Sequence, residues 1–516
     1  MPPLPFLILP AIGLAVLLVS GCAAPLPSAP ERVASIALHA PTTGALQQLR
    51  RHVADNAPEA ESGFLAIDGN RDALLWRLAL VDSAVSSIDV QYYLWKGDAS
   101  GDLLVRRVVE AAQRGVRVRA IIDDFLITGT DGTDSSVLSQ HPNIEVRFYN
   151  PWRSRSAGLA SRGVEWLSRD ELNHRMHNKL LVADGSAAIV GGRNLADEYF
   201  GLNSRVNFRD LDVLAVGPVV PKLEDTFDEY WNDEWAYPAE ALVPNPDEQD
   251  VEDLEANLVP TPEERERLAG FPLERRDWSP LLRDAIRRLT FGASLAVADD
   301  PQTLRDPDTI PDQVFESLGR LTERIEQELT VVSAYFVPDE PMLDYFRELT
   351  GRGVRIRVLT NSLGSTNHAI VNSQYKRYRK ALLDAGVELY EMRSDREDRG
   401  AIDTPPTSAP WHVLHTKAVL VDRARMYIGG LNISPRGVLF NSENGLLVAD
   451  EELVTEISQA IDLDLSPRNA WRVTLDSRGS LEWKSNLGTR RRQPARSSWQ
   501  RIQDWFFGFF RLEKQV

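Results

Sequence analysis

Residues 177–194 read HNKLLVADGSAAIVGGRN, and residues 415–432 read HTKAVLVDRARMYIGGLN. The two stretches share the same residue at six positions with identical spacing, and an RGVR tetrapeptide stands the same distance before each of them. Two copies of one histidine, lysine and asparagine set predict a single site built by pairing two similar halves. The shared positions are His177, Lys179, Asp184, Gly191, Gly192 and Asn194 in the first copy, and His415, Lys417, Asp422, Gly429, Gly430 and Asn432 in the second.

The composition of the whole chain agrees with two globular halves. A chain of 516 residues exceeds one ordinary domain, and its hydrophobic content of 43% is enough for a buried core in each half. The net charge of −17 disfavours broad capture of nucleic acid, because nucleic-acid binders generally carry a basic excess. We therefore expect no nucleic-acid partner.

The N-terminus carries a candidate export signal. Residues 4–19 are apolar and uncharged, and the single cysteine, Cys22, follows Val19-Ser20-Gly21. This arrangement resembles a bacterial lipoprotein cleavage box, in which the cysteine becomes the lipidated first residue. We interpret residues 1–22 as a lipoprotein-type signal peptide ending at Cys22, with an uncleaved membrane anchor as the alternative. Both interpretations predict a protein body that is anchored at a membrane of the cell envelope, on the periplasmic or outer side.

Strand and helix patterns alternate in each half and predict two α/β domains. The apolar run at 90–95 resembles that at 331–337, and the run at 116–122 matches that at 354–360. The predicted divisions are a tether (23–55), a first domain (56–235), an acidic proline-rich linker (236–290), a second domain (291–475) and a basic aromatic C-terminal tail (476–516).

The tail predicts contact with a membrane surface. Aromatic rings suit the level of the lipid headgroups, and arginine attracts anionic lipid. The alternative is a helix that docks its rings on the protein's own core. The basic residues are Arg490, Arg491, Arg492, Arg496, Arg501, Arg511 and Lys514, and the large apolar ones are Trp499, Ile502, Trp505, Phe506, Phe507, Phe509 and Phe510.

The doubled motif carries residue types suited to phosphoryl transfer. On a strand, residues two apart face the same side, so each histidine should project together with its lysine. Two lysines and two asparagines can neutralise a phosphoryl group without a metal, and two histidines can divide covalent and acid–base work. Asp184 and Asp422 fall where tight turns are predicted, so for them we favour a structural role over a catalytic one. Tyr92 and Tyr335 are predicted to be core residues.

The paired pattern resembles the phospholipase D superfamily over roughly residues 60–475. The segments 173–179, 191–194, 208–213 and 359–363 resemble bacterial cardiolipin synthases of the phospholipase D type, in particular the minor class without paired N-terminal transmembrane helices. The resemblance implies two fused phospholipase D-like domains of the α/β class. Each would be a mixed β-sheet flanked by helices, and the two would be related by a pseudo-twofold axis with one shared active site.

The resemblance also implies roles for individual residues, with no cofactor and no metal. His177 would be the nucleophile and His415 the general acid and base, although the order of the two stays open. The catalytic set would contain His177, Lys179, Asp184, His415, Lys417 and Asp422; the phosphate ligands would be Asn194, Asn432 and Ser434; and Asp210 and Glu443 would orient the histidines.

The implied activity is transfer of a phosphatidyl group from one phospholipid to phosphatidylglycerol, through a phosphohistidine, to make cardiolipin. The alternatives are a hydrolytic phospholipase D, a nuclease, which the acidic charge disfavours, and a non-catalytic lipid-binding lipoprotein. Phospholipids and a membrane surface are the expected partners. The sequence does not identify an accessory protein, the donor and acceptor lipids, or which envelope membrane is used.

Overall fold

The computed structural model describes residues 26, 34–127, 129–153, 162, 165–166, 169–243, 245–305, 313–513 and 516. The predicted signal peptide and Cys22 lie outside the described residues. Among the helices of the described part, none combines the length and the apolar character needed to cross a bilayer.

The first half and the segment after it alternate strands and helices. Short 3-10 turns lie at Asp124–Leu126, Asp170–Asn173, Asp197–Tyr199 and Leu268–Gly270. The elements are α1 (Ala45–Asn56), β1 (Ser62–Ile67), α2 (Asn70–Ser83), β2 (Ser87–Tyr92), α3 (Ala99–Gln113), β3 (Arg117–Asp123), α4 (Gly129–Leu138), β4 (Ile144–Tyr149), β5 (Arg175–Met176), β6 (Leu180–Ala183), β7 (Ala187–Gly191), β8 (Val206–Arg209), β9 (Asp212–Val216), α5 (Val219–Trp231), β10 (Ala236–Pro238), α6 (Ala239–Leu242), α7 (Glu248–Asn257), α8 (Pro262–Arg267) and α9 (Ser279–Arg288).

The second half repeats the pattern and ends in a hairpin and a helix. Its elements are β11 (Thr290–Ala298), α10 (Pro301–Arg305), α11 (Gln313–Thr322), β12 (Glu328–Ser333), α12 (Glu340–Gly351), β13 (Arg355–Asn361), α13 (Ala369–Tyr375), α14 (Arg379–Asp384), β14 (Glu388–Met392), β15 (Trp411–Leu414), β16 (Lys417–Val421), β17 (Arg425–Gly429), α15 (Pro435–Leu439), β18 (Asn441–Ser442), β19 (Asn444–Ala449), α16 (Glu451–Asp464), β20 (Ala470–Leu475), β21 (Leu481–Ser485), β22 (Gly488–Arg490) and α17 (Ser498–Phe507).

Both halves contain the same mixed sheet, which confirms the predicted fold class. The order is β4-β3-β2-β6-β7-β9-β1 in the first half and β14-β13-β12-β16-β17-β19-β11 in the second. The first three strands of each run are parallel and the others antiparallel. Strands β1 and β11 pair at 62–64 and 290–292, which joins the two sheets edge to edge.

One apolar core lies between the two sheets. Val190 and Val213 of the first half pack in the same buried cluster as Ile428 and Leu446 of the second. Two further cores lie beneath the helices that cover the other face of each sheet. Because strands with a helix layer on one face and a second sheet on the other are buried on both sides, they read in sequence as continuous apolar runs.

Within the residues that the structure describes, parts of the segments outside the two predicted domains are also folded. Residues 45–55, which were expected to be tether, lie in α1, where Leu46, Leu49 and Val53 are buried. The acidic 236–290 region supplies β10 to the first sheet and the helices α6–α9, and its Trp278 and Leu282 enter the first-half core. The tail adds β21 and β22 to the second sheet through β20.

The motif aspartates close hairpins, as predicted. Asp184 follows β6 in the turn to β7, with φ of 56°, and Asp422 follows β16 in the turn to β17, with φ of 53°. The Asp184 carboxylate accepts backbone N–H bonds from residues 85–87 at 2.7–3.1 Å, and Asp422 accepts them from residues 326–328 at 2.8–3.0 Å. Each aspartate thereby fixes the start of the strand beside its own hairpin.

We expect Asp184→Ala to lower the free energy of unfolding by about 2–3 kcal/mol, because the buried and partly buried N–H groups of residues 85–87 lose a charged acceptor. Asp422→Ala should lower it less, since the Asp422 side chain is 16% exposed whereas Asp184 is 1% exposed. Urea unfolding measures both. Asp184→Asn is the matched control because asparagine tolerates the left-handed turn. Unchanged stability with lost activity would contradict the structural role.

Candidate active site

Two short cross-domain strand pairs position the site. Strand β15 runs parallel to β8, with Leu414 opposite Arg209, so His415 and Asp210 emerge side by side. Strand β18 runs parallel to β5, with Ser442 opposite Met176, so Glu443 and His177 emerge side by side. The expectation that each His-x-Lys lies within one strand is wrong, since both histidines fall between strands.

Each histidine is held by a carboxylate from the other half. His177 Nδ1 donates to Glu443 Oε1 and Oε2 at 2.8 and 2.9 Å, and His415 Nδ1 donates to Asp210 Oδ2 at 2.7 Å. All four side chains are buried. With Nδ1 committed to a carboxylate, Nε2 of each ring is the nitrogen left for chemistry.

The glycine pairs make room for these carboxylates. A Cβ atom at Gly192 would collide with the Asp210 carboxylate, and one at Gly430 would collide with that of Glu443. The structure therefore places the orienting carboxylate of each histidine against the second glycine of a pair, where a side chain would not fit.

The two lysines are buried beneath the histidines. The ammonium groups of Lys179 and Lys417 donate to the backbone carbonyls of His177 and His415. Lys417 Nζ also lies 2.9 Å from His415 Nδ1 and 3.1 Å from its Nε2. Burial lowers the pKa of Lys179 to about 7 and that of Lys417 to about 8, although Glu443 and Asp210 act in the opposite direction. An anion placed beside them would favour the charged forms of both.

The two histidine–carboxylate pairs differ in their electrostatics. Burial, together with the charge of Lys417, lowers the pKa of His415 to about 4. Burial opposes ionisation of Asp210, but the hydrogen bond from His415 and the nearby cations hold its pKa at about 2. Burial and the charges of both lysines hold the pKa of His177 well below its usual value, and burial raises the pKa of Glu443.

The predicted phosphate ligands line the same cleft as the histidines. Asn194 Nδ2 donates to the Tyr199 hydroxyl at 2.9 Å, and among the described residues its Oδ1 has no hydrogen-bond partner. Asn432 Oδ1 accepts from the Tyr335 N–H at 3.3 Å. Ser434 Oγ caps α15 by accepting from Gly437 N–H. The structure thus brings these three residues and both histidines into one cavity of about 500 Å³.

Asp184 and Asp422 are not part of this cluster. Each lies at the far end of β6 or β16 from the histidine, with its carboxylate tied to backbone N–H groups. Their inclusion in the candidate catalytic set is not matched by the geometry.

Several aromatic residues that the sequence interpretation did not select surround the histidines. The Tyr93 ring packs edge-on against His177 at 5.1 Å, Tyr199 packs edge-on against His415 at 5.0 Å, and Phe208 stacks on His415 at 5.6 Å. Tyr335, predicted to be a core residue, lines the cleft beside His368. Tyr93 and Tyr335 could have been selected as site residues from the sequence, because each stands just after one of the matched strands, β2 and β12.

Arg436 also lines the cleft, two positions beyond Ser434, and was not selected from the sequence. Within the described ranges, no group of three or more His, Cys, Asp or Glu side chains is arranged to hold a metal ion. The cleft therefore presents two histidine rings, two asparagines and one arginine to an anionic substrate, with the two lysine ammonium groups buried behind the histidines.

Comparison with known proteins agrees with this geometry. The family model described as "Cardiolipin synthase, PLD-like domain" matches twice, at residues 78–231 and 321–465. The chain is 33% identical over 456 residues to "Cardiolipin synthase C" of Escherichia coli (strain K12), covering 86% of this chain and 93% of that protein. It is 25% identical over 413 residues to "Cardiolipin synthase A" of Pseudomonas entomophila (strain L48), covering 80% of this chain and 70% of that protein.

A solved structure shares the fold. The crystal structure of phosphatidylserine synthase from Haemophilus influenzae Rd KW20 superposes with a TM-score of 0.52 at 13% identity, over 83% of this chain and 90% of that one. The chain therefore belongs to the phospholipase D-like domain family of the cardiolipin synthases and is a phospholipase D-type phosphatidyltransferase.

Proposed function

We propose that this enzyme makes cardiolipin by moving a phosphatidyl group from one phospholipid to phosphatidylglycerol through a phosphohistidine intermediate. The observation that carries the proposal is the pair of imidazoles in one cleft, each with Nδ1 bound to a buried carboxylate. One imidazole can hold the phosphatidyl group while the other moves the proton.

In the first step, His177 Nε2 attacks the phosphorus of the donor lipid. The bond from phosphorus to the headgroup oxygen breaks, and the protonated His415 gives its Nε2 proton to that oxygen. In the second step, a hydroxyl of phosphatidylglycerol attacks the same phosphorus. The P–N bond breaks, and His415 takes the hydroxyl proton, so both histidines return to their starting states.

The different surroundings of the two rings support this division of roles. Burial lowers the pKa of His415 to about 4 in the free site, but the ionised Asp210 and a bound anionic phosphodiester both favour the imidazolium that an acid must form. The low pKa of His177 keeps that ring neutral, as a nucleophile requires. Lys179, Lys417, Asn194 and Asn432 would carry the charge of the phosphoryl oxygens.

Mass spectrometry of lipids tests the reaction. The purified enzyme is mixed with phosphatidylethanolamine and phosphatidylglycerol, beside His177→Ala as the control. We expect a four-chain lipid that the control lacks. Formation of phosphatidic acid alone would replace the proposal with a hydrolytic phospholipase D.

A phosphatidyl p-nitrophenol donor tests the roles of the histidines, because nitrophenolate can leave without being protonated by a general acid. We expect His415→Ala to release one equivalent of nitrophenol in a burst and to retain a phosphatidyl group on His177. His177→Ala should give no burst and lose turnover by about four orders of magnitude or more. A burst from His177→Ala but none from His415→Ala would reverse the assignment.

The lysines predict an alkaline limit to activity. Since their pKa values in the free enzyme are about 7 and about 8, rising pH removes the positive charge that receives the phosphoryl group. We expect kcat/KM to fall about 10-fold per pH unit between roughly pH 7 and pH 8, where Lys179 loses its charge, and more steeply above about pH 8, where Lys417 loses its charge as well. Lys179→Arg keeps its charge and should move the decline to higher pH. A flat profile to about pH 9 would contradict this role.

We also propose that helix α17 docks on the membrane beside the cleft. Its polar side packs on the protein: Asp504 pairs with Lys376 at 2.8 Å, and Arg377 donates to the carbonyls of Gly508 and Phe510. The neighbouring helix α13 lines the cleft through Ile370 and Val371. The apolar side chains left exposed are Trp499, Ile502, Trp505, Phe506, Phe509 and Phe510.

The charges around this patch suit anionic lipid. Arg490 and Arg492 are exposed and interact electrostatically with Arg501 of α17. Arg511 is exposed and directly follows Phe510 in the chain. Arginine near a membrane surface attracts acidic headgroups. Docking of the rings on the protein's own core, the alternative considered from sequence, does not match their exposure. We propose that lipidation at Cys22 anchors the other end, with the body on the periplasmic or outer side of the envelope.

Replacing Trp505, Phe506 and Phe509 together by serine should lower turnover on vesicles of phosphatidylglycerol and phosphatidylethanolamine by about 10-fold or more. Turnover on monomeric short-chain lipid should fall far less, because the cleft itself is intact. Leu463→Ser, an exposed apolar residue on α16, is the control. Equal losses on both substrates would count against membrane docking by α17.

A further inference from the structure

Arg436 is a cation of the cleft that the proposed mechanism does not use. It lies on α15, and its guanidinium is half-buried 5.7 Å from the centre of the Trp166 ring. Its Nη2 donates to the backbone carbonyl of Asn173 at 3.2 Å. A ring and a carbonyl hold this side chain in place without neutralising it.

Within the described residues, the Arg436 guanidinium forms no ion pair with a carboxylate side chain, although Asp123 acts on it from a longer distance and the backbone N–H of Arg436 donates to Val516 O at 3.2 Å. The other arginines buried near the site do form such a pair: Arg175 lies 3.4 Å from Asp123, and Arg193 lies 3.1 Å from Asp212. A partly buried charge is costly unless an opposite charge approaches it. The arrangement therefore favours the arrival of an anion at Arg436.

The corresponding position in the first half carries the opposite charge. Arg436 stands four residues after Asn432, and Glu198 stands four residues after Asn194. Glu198 also lines the cleft, and it lies 3.7 Å from Lys96. The pseudo-twofold relation of the halves does not require this difference in charge. The difference makes the two sides of the cleft electrostatically distinct.

The chemistry of the acceptor supplies an anion that fits. When a phosphatidyl group is joined to the glycerol of a second phospholipid, the product holds two phosphodiesters separated by one glycerol unit. The lysines and asparagines beside the histidines are assigned to the phosphate that is transferred. The other phosphate enters only with a phospholipid acceptor, because water and simple alcohols have none.

We propose that Arg436 binds the phosphate of the acceptor phospholipid and thereby favours transfer to a lipid over transfer to water or a neutral alcohol. The inference rests on the proposed function, since it requires a phospholipid acceptor. Guanidinium is suited to this task because it can donate two parallel hydrogen bonds to phosphate oxygens.

Competition between two acceptors tests the inference. Wild type and Arg436→Met receive a donor with labelled acyl chains, phosphatidylglycerol and ethanol in mixed micelles, and the labelled products are quantified. We expect the ratio of cardiolipin to phosphatidylethanol to fall about 10- to 100-fold in Arg436→Met. Arg436→Lys should recover part of the ratio, because it keeps the charge but not the bidentate geometry. The ratio of the two products does not depend on the fraction of each variant that is folded.

Arg347→Met is the matched control, because Arg347 is exposed on α12, where it pairs with Asp344 at 2.6 Å. It should keep the wild-type ratio. If Arg436→Met lowers all products in parallel, Arg436 serves the transferred phosphate and the inference is overturned; an unchanged ratio overturns it as well. A wild-type enzyme that makes phosphatidylethanol but no four-chain lipid would overturn the proposed function instead.

Discussion

The imidazole of His177 is held by a carboxylate 266 positions away in the chain, and that of His415 by one 205 positions away. Both contacts depend on the short parallel pairs β5–β18 and β8–β15, which cross from one half to the other. Neither half can orient its own histidine, because the carboxylate that it contributes faces the histidine of its partner. The site thus requires both halves. The core between the two sheets has to keep the halves aligned so that each carboxylate reaches the histidine of the other half.

Burial gives the exchanged pairs their chemical properties. Two lysines and two carboxylates lie in a nearly dry cluster, where desolvation lowers the pKa of each lysine and opposes charge on each carboxylate. A phosphodiester that enters the cleft brings negative charge to this cluster and favours protonated lysines. The resting site is therefore prepared for an anion, and the aromatic rings around the histidines limit the access of water to it.

Much of this could be predicted from the sequence. Repeated spacing identified both histidines, both lysines and the hairpin turns, because each depends on local order along the chain. The sequence could not predict that Asp210 binds the histidine of the second half and Glu443 that of the first. The spacing within each copy would be the same if each carboxylate bound the histidine of its own half. The contribution of Phe208 depends on the β8–β15 pair in the same way. Residues 45–55 looked like tether because their apolar positions are few, yet Leu46 and Leu49 are buried in the first-half core.

The exchange of carboxylates is most directly tested by nitrogen NMR of the enzyme with ¹⁵N-labelled histidine rings, assigned with His177→Gln and His415→Gln. The account predicts that Glu443→Gln shifts the Nδ1 resonance of His177 and leaves that of His415 nearly unchanged, and that Asp210→Asn does the reverse. Shifts confined to the histidine of the same half, His415 for Glu443→Gln and His177 for Asp210→Asn, would contradict a site built by exchange between the halves.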